Sequence, residues 1–247
     1  MTDPVALVTG AQQGIGAACV LALAGAGHDV AVHWHDDEAA VAAVAAGVRA
    51  AGRRAFPLRA DLATPGAAAD LVDRAAAASG RLDVLVNNAG IYPRAELADL
   101  EPDQLRLVLA VDLEAPIQAT RAAVPHLRAQ DGGVVVNIAS SAVRGAADGV
   151  AYTAAKGGLV AASRSMALGL ARHGIRVNCV SPGIVDTDQP RVALSEPEIA
   201  AIGARIPLGR IGLPADVAGV VAFLASPAGA YLTGQNLHVN GGSHMPD

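Results

Sequence analysis

Short apolar runs alternate with longer alanine-rich segments along this chain. The runs rich in β-branched residues predict seven strands, at residues 5–9, 30–33, 55–58, 84–87, 134–138, 176–181 and 237–239. Helices are predicted at residues 17–26, after a glycine-rich turn, and at residues 37–51, where valines recur at helical spacing. Because repeated strand–helix–strand units require right-handed crossovers between parallel strands, the pattern predicts a doubly wound α/β sheet.

The same pattern indicates one domain. No linker rich in proline, glycine or serine and no block of charge divides the 247 residues. We therefore predict a single Rossmann-type domain over residues 1–247, with a mostly parallel seven-stranded sheet and helices on both faces. Residues 182–214 are the least regular segment, and residues 184–214 within it are predicted to form a lid over the binding site. The expected substrate contacts of this lid are Val192, Ala193, Leu194, Ile202 and Ile206.

Composition and charge narrow the range of partners. With 52% hydrophobic but only 2% aromatic residues, the core must consist of small aliphatic side chains, as suits parallel strands covered on both faces. The net charge of −5 without a basic block argues against nucleic acid and anionic membranes, so the predicted partner is a small molecule. Cys19 and Cys179 are far apart and lack the spacing of a disulfide or zinc motif. No signal peptide or membrane-spanning segment is expected either, and together these features predict a cytoplasmic protein.

A glycine-rich motif occupies residues 9–16, with the sequence TGAQQGIG, between the first predicted strand and the first predicted helix. Its glycines permit a tight turn and a close approach of the backbone to a pyrophosphate, and the helix N-terminus offers unpaired N–H groups to an anion. An ordinary glycine turn has the same appearance. The motif alone therefore does not decide between a turn and a dinucleotide site.

Further motifs follow at regular intervals. They are Asp61-Leu62, NNAG at 87–90, NIAS at 137–140, YTAAK at 152–156, Asn178 with SPG at 181–183, and TGQ at 233–235 with NGG at 240–242. Together with the TGxxxGxG spacing, this series resembles the classical short-chain dehydrogenase/reductase family along the whole chain, particularly its 3-oxoacyl reductases and its sugar and cyclic-alcohol dehydrogenases. The resemblance implies an oxidoreductase that moves a hydride between NAD(P)(H) and a ketone or secondary alcohol of a small molecule.

The resemblance also implies a set of dinucleotide contacts. These are Gly10, Gln12, Gln13, Gly14, Ile15, Gly16, Trp34, His35, Asp61, Leu62, Asn88, Ala89, Gly90, Tyr152, Lys156, Pro182, Gly183, Ile184 and Thr187. Relatives that select NAD place an acidic residue where Trp34 stands, whereas those that select NADP often carry a cation near Gln13 or His35. This chain has neither the acidic residue nor the cation. Because the carboxylate that would repel a 2′-phosphate is missing, we expect a slight preference for NADP(H), with NAD(H) as the alternative. His33, His35 and Asp36 lack a further ligand at suitable spacing, so no metal site is predicted.

The predicted chemistry centres on Tyr152 and Lys156. Residues four apart lie on one face of a helix, so the ammonium can approach the phenol and favour its ionised form, which suits a general acid/base. The resemblance gives Lys156 a second role, binding the nicotinamide ribose. Ser140, at a strand end, is predicted to donate to the substrate oxygen, with Ser141 as the competitor.

One predicted catalytic position departs from the family. Asp112 stands where relatives usually have an asparagine that holds a water of the proton relay, and an ionised carboxylate cannot donate. We expect Asp112 to preserve the relay with an altered pH dependence. Tyr92, Arg94 and Arg144 are expected at the mouth of the substrate site.

Three other functions stay open. A dinucleotide-binding sensor has the same fold, an isomerase or dehydratase retains the dinucleotide, and a 3-oxoacyl thioester reductase shares the motifs. Against the last, Asp131 and His173 stand where carrier-protein reductases tend to be basic. The resemblance and the apolar helices predicted at 105–111 and 157–170 favour a homo-oligomer, either a dimer or a tetramer.

Overall fold

The structure of the chain is a computed structural model that describes residues 3–192 and 194–245. Ala193, one of the expected lid contacts, lies outside the described residues, as do the four residues at the ends of the predicted domain. The strands are β1 (Val5–Val8), β2 (Asp29–Trp34), β3 (Ala55–Arg59), β4 (Val84–Asn87), β5 (Gly133–Ile138), β6 (Ile175–Pro182) and β7 (Asn236–Val239). Each lies within one residue of its predicted bounds.

The strands form one seven-stranded sheet in the order β3-β2-β1-β4-β5-β6-β7. Every strand pairing among the described residues is parallel. This confirms the predicted doubly wound sheet. The strand order reverses between β1 and β4, which leaves a crevice at their carboxyl ends where ligands bind in folds of this kind.

Helices connect the strands. They are α1 (Gly14–Gly25), α2 (Glu38–Ala50), α3 (Ala67–Ser79), α4 (Pro102–Leu109), α5 (Ala115–Arg128), α6 (Val150–Leu170), α7 (Asp188–Arg191), α8 (Glu196–Arg205) and α9 (Pro214–Ala225). A π-helical turn, Ala110–Glu114, joins α4 to α5, and a short 3₁₀ helix, Ser141–Arg144, follows β5. Within residues 3–192 and 194–245, no helix has both the length and the apolar character needed to cross a membrane.

Side chains alternate between the two faces of the sheet along each strand, so the core has two layers. Val8 of β1 and Val86 of β4 belong to the layer beneath α1, α2 and α9, whereas Leu7 and Leu85 belong to the layer beneath α3, α5 and α6. Successive side chains of a strand point to opposite faces, so both faces of the sheet must be covered. The carboxyl edge therefore stays open as the place where polar loops meet.

The predicted lid contains α7 and α8. Its two stems are joined by a bridge between Val185 and Gly212, in which Asp186 N donates to Gly212 O at 2.8 Å. Gly212 N in turn donates to Ile184 O at 2.9 Å. The segment therefore leaves and rejoins the sheet edge at one point.

Candidate active site

A cleft of about 920 Å³ opens at the carboxyl edge of the sheet. Loops that follow six of the strands line it together with the start of α6, and these segments carry every predicted dinucleotide contact except Trp34. The predicted catalytic residues Ser140, Tyr152 and Lys156 also line it. The tertiary structure thus brings together motifs that are far apart in the sequence.

The glycine-rich loop and the loop after β4 are joined at the crevice. Asn88 Nδ2 donates to Thr9 O and to Gly10 O, each at 2.9 Å, and Thr9 Oγ1 accepts the amide of Asn88 at 2.9 Å. A Cβ added to Gly16 would lie 2.2 Å from Gly10 O and 2.5 Å from Asn88 Nδ2, so no larger residue fits there. Gly10, Gly14 and Gly16 all line the cleft, so at these positions the loop presents backbone without a side chain.

Helix α1 begins at Gly14, three residues before its predicted start. Gln13 precedes it and makes no side-chain capping hydrogen bond. The first turn consequently lies in the glycine motif itself, where its N–H groups can bind an anion. The bare backbone and the uncapped helix end fit the pyrophosphate of a dinucleotide.

The end of β2 differs from the sequence-based expectation. Trp34 packs against the core layer beneath α1, with the guanidinium carbon of Arg59 5.3 Å from its ring centroid, and does not line the cleft. Alternation along β2 turns the neighbouring side chains, His33 and His35, toward the cleft instead. His33 is 2% exposed, and its Nδ1 accepts the amide of Gly10 at 2.9 Å.

Asp36 is a cleft residue that the sequence analysis did not assign. Gln12 Nε2 donates to Asp36 Oδ1 at 2.7 Å, and Gln12 Oε1 accepts the amide of His35 at 3.0 Å. The hydrogen bond from Gln12 lowers the pKa of Asp36 and keeps it ionised. A carboxylate thus faces the cleft after all, two residues beyond the position where relatives carry one.

Tyr152 and Lys156 lie in the first two turns of α6. Lys156 is 3% exposed, and its Nζ donates to Ile138 O at 3.0 Å and lies 3.1 Å from Oδ1 of Asp112. The same Nζ is 5.6 Å from the ring centroid of Tyr152. Asp112 is 0% exposed, so it contacts the lysine from behind the cleft.

Burial raises the pKa of Tyr152, and Asp112 adds to the rise. Lys156 and a hydrogen bond from Ser140 act in the opposite direction. The net shift is upward, contrary to the lowering expected from Lys156 alone, because the phenolate loses more hydration than the ammonium offsets. Burial is the largest single influence on the pKa of Lys156 and would lower it, but the charges of Asp112 and Tyr152 and the hydrogen bond to Asp112 together raise that pKa.

Ser140 precedes the 3₁₀ helix Ser141–Arg144. Its Oγ accepts the amide of Ala142 at 3.1 Å, which fixes the hydroxyl at the strand end. Ser141 also lines the cleft. Ser140 is also among the neighbours that lower the pKa of Tyr152, which supports Ser140 rather than Ser141 as the predicted donor.

Tyr92, Arg94 and Arg144, expected at the mouth of the substrate site, line the cleft, as does Asp148, which the sequence analysis missed. The expectation for the lid was wrong in detail. Its cleft-lining residues are Ile184, Val185 and 187–190, and none of the described residues Val192, Leu194, Ile202 and Ile206 is among them. Val192 is 88% exposed, whereas Ile206 is buried.

Within the described part of the chain, no three His, Cys, Asp or Glu side chains are grouped closely enough to hold a metal ion.

Comparison with known proteins agrees with this geometry. A family model described as enoyl-(acyl carrier protein) reductase matches residues 10–244. The chain is 43% identical over 244 residues to cis-4-hydroxycyclohexanecarboxylate dehydrogenase of Sinomonas cyclohexanicum, covering 97% of this chain and 96% of that protein. It is 37% identical over 242 residues to L-rhamnose 1-dehydrogenase (NAD(P)(+)) of Sphingomonas sp. strain SKA58, covering 97% and 95%.

The fold has close structural counterparts. The crystal structure of a blue fluorescent protein from a metagenomic library, in complex with NADPH, superposes with a TM-score of 0.91 at 36% identity and 99% coverage of both chains. The sequence matches cover most of the chain, and the shared fold is found at a similar level of identity, so both place the chain in one family. The chain belongs to the short-chain dehydrogenase/reductase family and is an NAD(P)-dependent enzyme that acts on CH–OH and C=O groups.

Proposed function

We propose that the chain interconverts a ketone and a secondary alcohol of a small molecule, with Tyr152 as the general acid/base. The observation that carries the proposal is the grouping of Ser140, Tyr152 and Lys156 on one wall of the cleft. When bound, the dinucleotide supplies or accepts the hydride, and its oxidised form adds a positive charge that favours the phenolate. The glycine-rich loop, Asn88 and the 182–184 segment would hold it.

Each side chain has a distinct part in the proposed reaction. In reduction, the Tyr152 hydroxyl gives its proton to the carbonyl oxygen, and in oxidation the phenolate takes the proton of the alcohol. Ser140 donates a hydrogen bond to that oxygen as negative charge develops on it. Lys156 stabilises the phenolate and would bind the nicotinamide ribose, while Asp112 keeps Lys156 protonated.

A ring alcohol or ring ketone is the substrate class that we favour. The relatives at 43% and 37% identity are named for a hydroxycyclohexane acid and for rhamnose. A carrier-bound thioester is the second candidate, because Arg172 Nε donates to His173 Nε2 at 3.2 Å and supplies a cation beside His173.

The test is a spectrophotometric screen that follows the reduced dinucleotide with cyclic alcohols, sugars, ketones and 3-oxoacyl thioesters. Tyr152→Phe removes one oxygen, so turnover should fall by orders of magnitude while dinucleotide affinity stays nearly unchanged. Near-native turnover in this variant would contradict the mechanism. Tight dinucleotide binding without turnover on any substrate would favour a sensor, and turnover without net change in cofactor redox state would favour an isomerase or dehydratase.

The choice of dinucleotide belongs to the same proposal. The sequence analysis slightly favoured NADP(H), but the ionised Asp36 would repel a 2′-phosphate and could accept a ribose hydroxyl. Among the described residues, no arginine or lysine lines the cleft beside Asp36, and the nearby Arg59, outside the lining, donates from Nε to His35 O at 2.9 Å. We therefore propose that NAD(H) is used at least as well as NADP(H), to be measured as the ratio of the two kcat/KM values.

Homo-oligomerisation is also proposed. Leu107 of α4 and Leu168 of α6 are 44% and 84% exposed, on the helices expected to pair. A second copy of the chain would bury them, and symmetric assembly is the usual outcome for such faces.

A further inference from the structure

Tyr92 lies against the ring of Tyr152. The two rings are stacked, with centroids 4.4 Å apart and planes 18° from parallel. Stacked pairs at this separation attract each other beyond the effect of the area that they bury. Only 2% of the residues are aromatic and three of them are tyrosines, so the core is not built from aromatic rings. The contact between these two rings is therefore a specific feature of the cleft.

Polar contacts hold Tyr92 in place. Its hydroxyl donates to Oδ1 of Asp148 at 3.3 Å, and Arg94 Nη1 donates to Oδ2 of Asp148 at 2.8 Å. The guanidinium carbon of Arg94 lies 5.1 Å from the Tyr92 ring centroid, within the range of a cation–π contact. The amide of Ala95 donates to Asp148 O at 2.9 Å, which fastens the loop after β4 to the residues before α6.

Gly149 provides the space for this ring. A Cβ added there would lie 2.5 Å from the Tyr92 hydroxyl oxygen and 2.9 Å from Cε2. The φ angle of Gly149 is −134°, so the backbone does not itself require glycine. The position is therefore small because Tyr92 occupies the adjacent volume.

We propose that Tyr92 is a positioning residue whose stacked ring holds the phenol oxygen of Tyr152 in line with Ser140. The inference rests on the proton-transfer role proposed for Tyr152. A phenol oxygen lies on the Cβ–Cγ axis, so a ring flip about χ2 leaves it in place and only a change in χ1 moves it. A ring packed on its face opposes that change. The Asp148–Arg94 pair keeps Tyr92 itself from turning away.

Kinetics give the first test. Tyr92→Leu keeps an apolar side chain but removes the aromatic face, and kcat should fall about three- to tenfold with dinucleotide Kd unchanged. Tyr92→Phe keeps the stacking and should restore most of that loss. Tyr231 is fully exposed, and Tyr231→Leu is the matched control, with kcat equal to the wild type.

Direct titration of the tyrosines gives the second test and does not depend on turnover. With ¹³C at Cζ, each of the three tyrosines contributes one NMR resonance, assigned by single Tyr→Phe variants, and Tyr231 serves as the internal exposed reference. Burial is the largest cause of the raised pKa of Tyr152, ahead of its neighbours Lys156 and Asp112. Removing the Tyr92 ring should therefore move the Tyr152 titration to lower pH, and Tyr92→Phe should move it less.

Gly149→Ala tests the same inference without altering Tyr92. The added methyl group should displace the ring and reproduce the kinetic and NMR changes of Tyr92→Leu. In the Tyr92→Leu background it should add little, because the clashing atoms are gone.

Two outcomes would overturn the inference. The first is a Tyr92→Leu variant with the kcat of the wild type and an unchanged Tyr152 titration. The second is a loss of dinucleotide affinity as large as the loss in kcat, because that would indicate a general disruption of the cleft. Near-native turnover in Tyr152→Phe would instead reject the proposed function, while the NMR titration would still report on the stacked pair.

Discussion

Nζ of Lys156 lies 3.1 Å from Oδ1 of Asp112, in a pair whose side chains are 3% and 0% exposed. Oδ2 of Asp112 also accepts the amide of Ile91 at 3.0 Å. Asp112 stands in the π-helical turn Ala110–Glu114, a local widening of the helix that often marks functional sites. The pair therefore links the α4–α5 connection to α6, and Asp112 can affect Tyr152 only through charge and through Lys156.

Asp112→Asn should move the alkaline limb of the pH–kcat profile to lower pH while preserving activity. The carboxylate raises the pKa of both Tyr152 and Lys156, so its removal lowers both. The rate of alcohol oxidation between pH 6 and 11 measures the shift. Collapse of activity would mean that the carboxylate takes part in the chemistry, and an unchanged profile would make Asp112 a bystander. Asp103→Asn, in an exposed ion pair with Arg106, is the matched control and should leave the profile unchanged.

Lys156→Ala should lower both turnover and dinucleotide affinity, because one ammonium is proposed to stabilise the phenolate and bind the ribose. It also leaves the Asp112 carboxylate buried without its partner, which typically costs about 3–5 kcal/mol. Thermal unfolding would report that loss. Adding Asp112→Asn should recover stability but not turnover, and unchanged dinucleotide affinity in Lys156→Ala would contradict the double role.

Two substitutions at the end of β2 should each shift the dinucleotide preference toward NADP(H). Asp36→Asn removes the charge that would repel a 2′-phosphate, and His35→Arg adds a guanidinium that can pair with it. We expect a change of about 1–2 kcal/mol, near tenfold, in the ratio of kcat/KM values for each. Constant ratios in both variants would show that the 2′-position is read elsewhere.

Leu168→Glu should weaken self-association, because it places a charge at an 84% exposed apolar position of α6. Light scattering at micromolar concentration would show a smaller assembly than that of the wild type. Leu97→Glu, at an exposed leucine outside both helices, is the control and should retain the wild-type mass. A monomeric wild-type chain would refute the proposal of an oligomer.

Local patterns in the sequence determined the fold. Each strand is a short run of aliphatic residues bounded by turn residues, and its burial on both faces follows from that pattern. The spacing of Tyr152 and Lys156 likewise determined that they share a helix face, because helical geometry is local. The order of the motifs along the chain was enough to place Gly10, Asn88 and Ser140 at one edge of the sheet.

Contacts between distant segments were decided only by the tertiary structure. Whether Trp34 or its neighbours face the cleft depends on the register of β2 in the sheet, and a shift of one residue reverses the answer. The stacking of Tyr92 on Tyr152 depends on Asp148 and Gly149, which no motif marks. A sequence pattern specifies what a residue can do, whereas the distance to its partners follows from how loops from different strands pack at one edge.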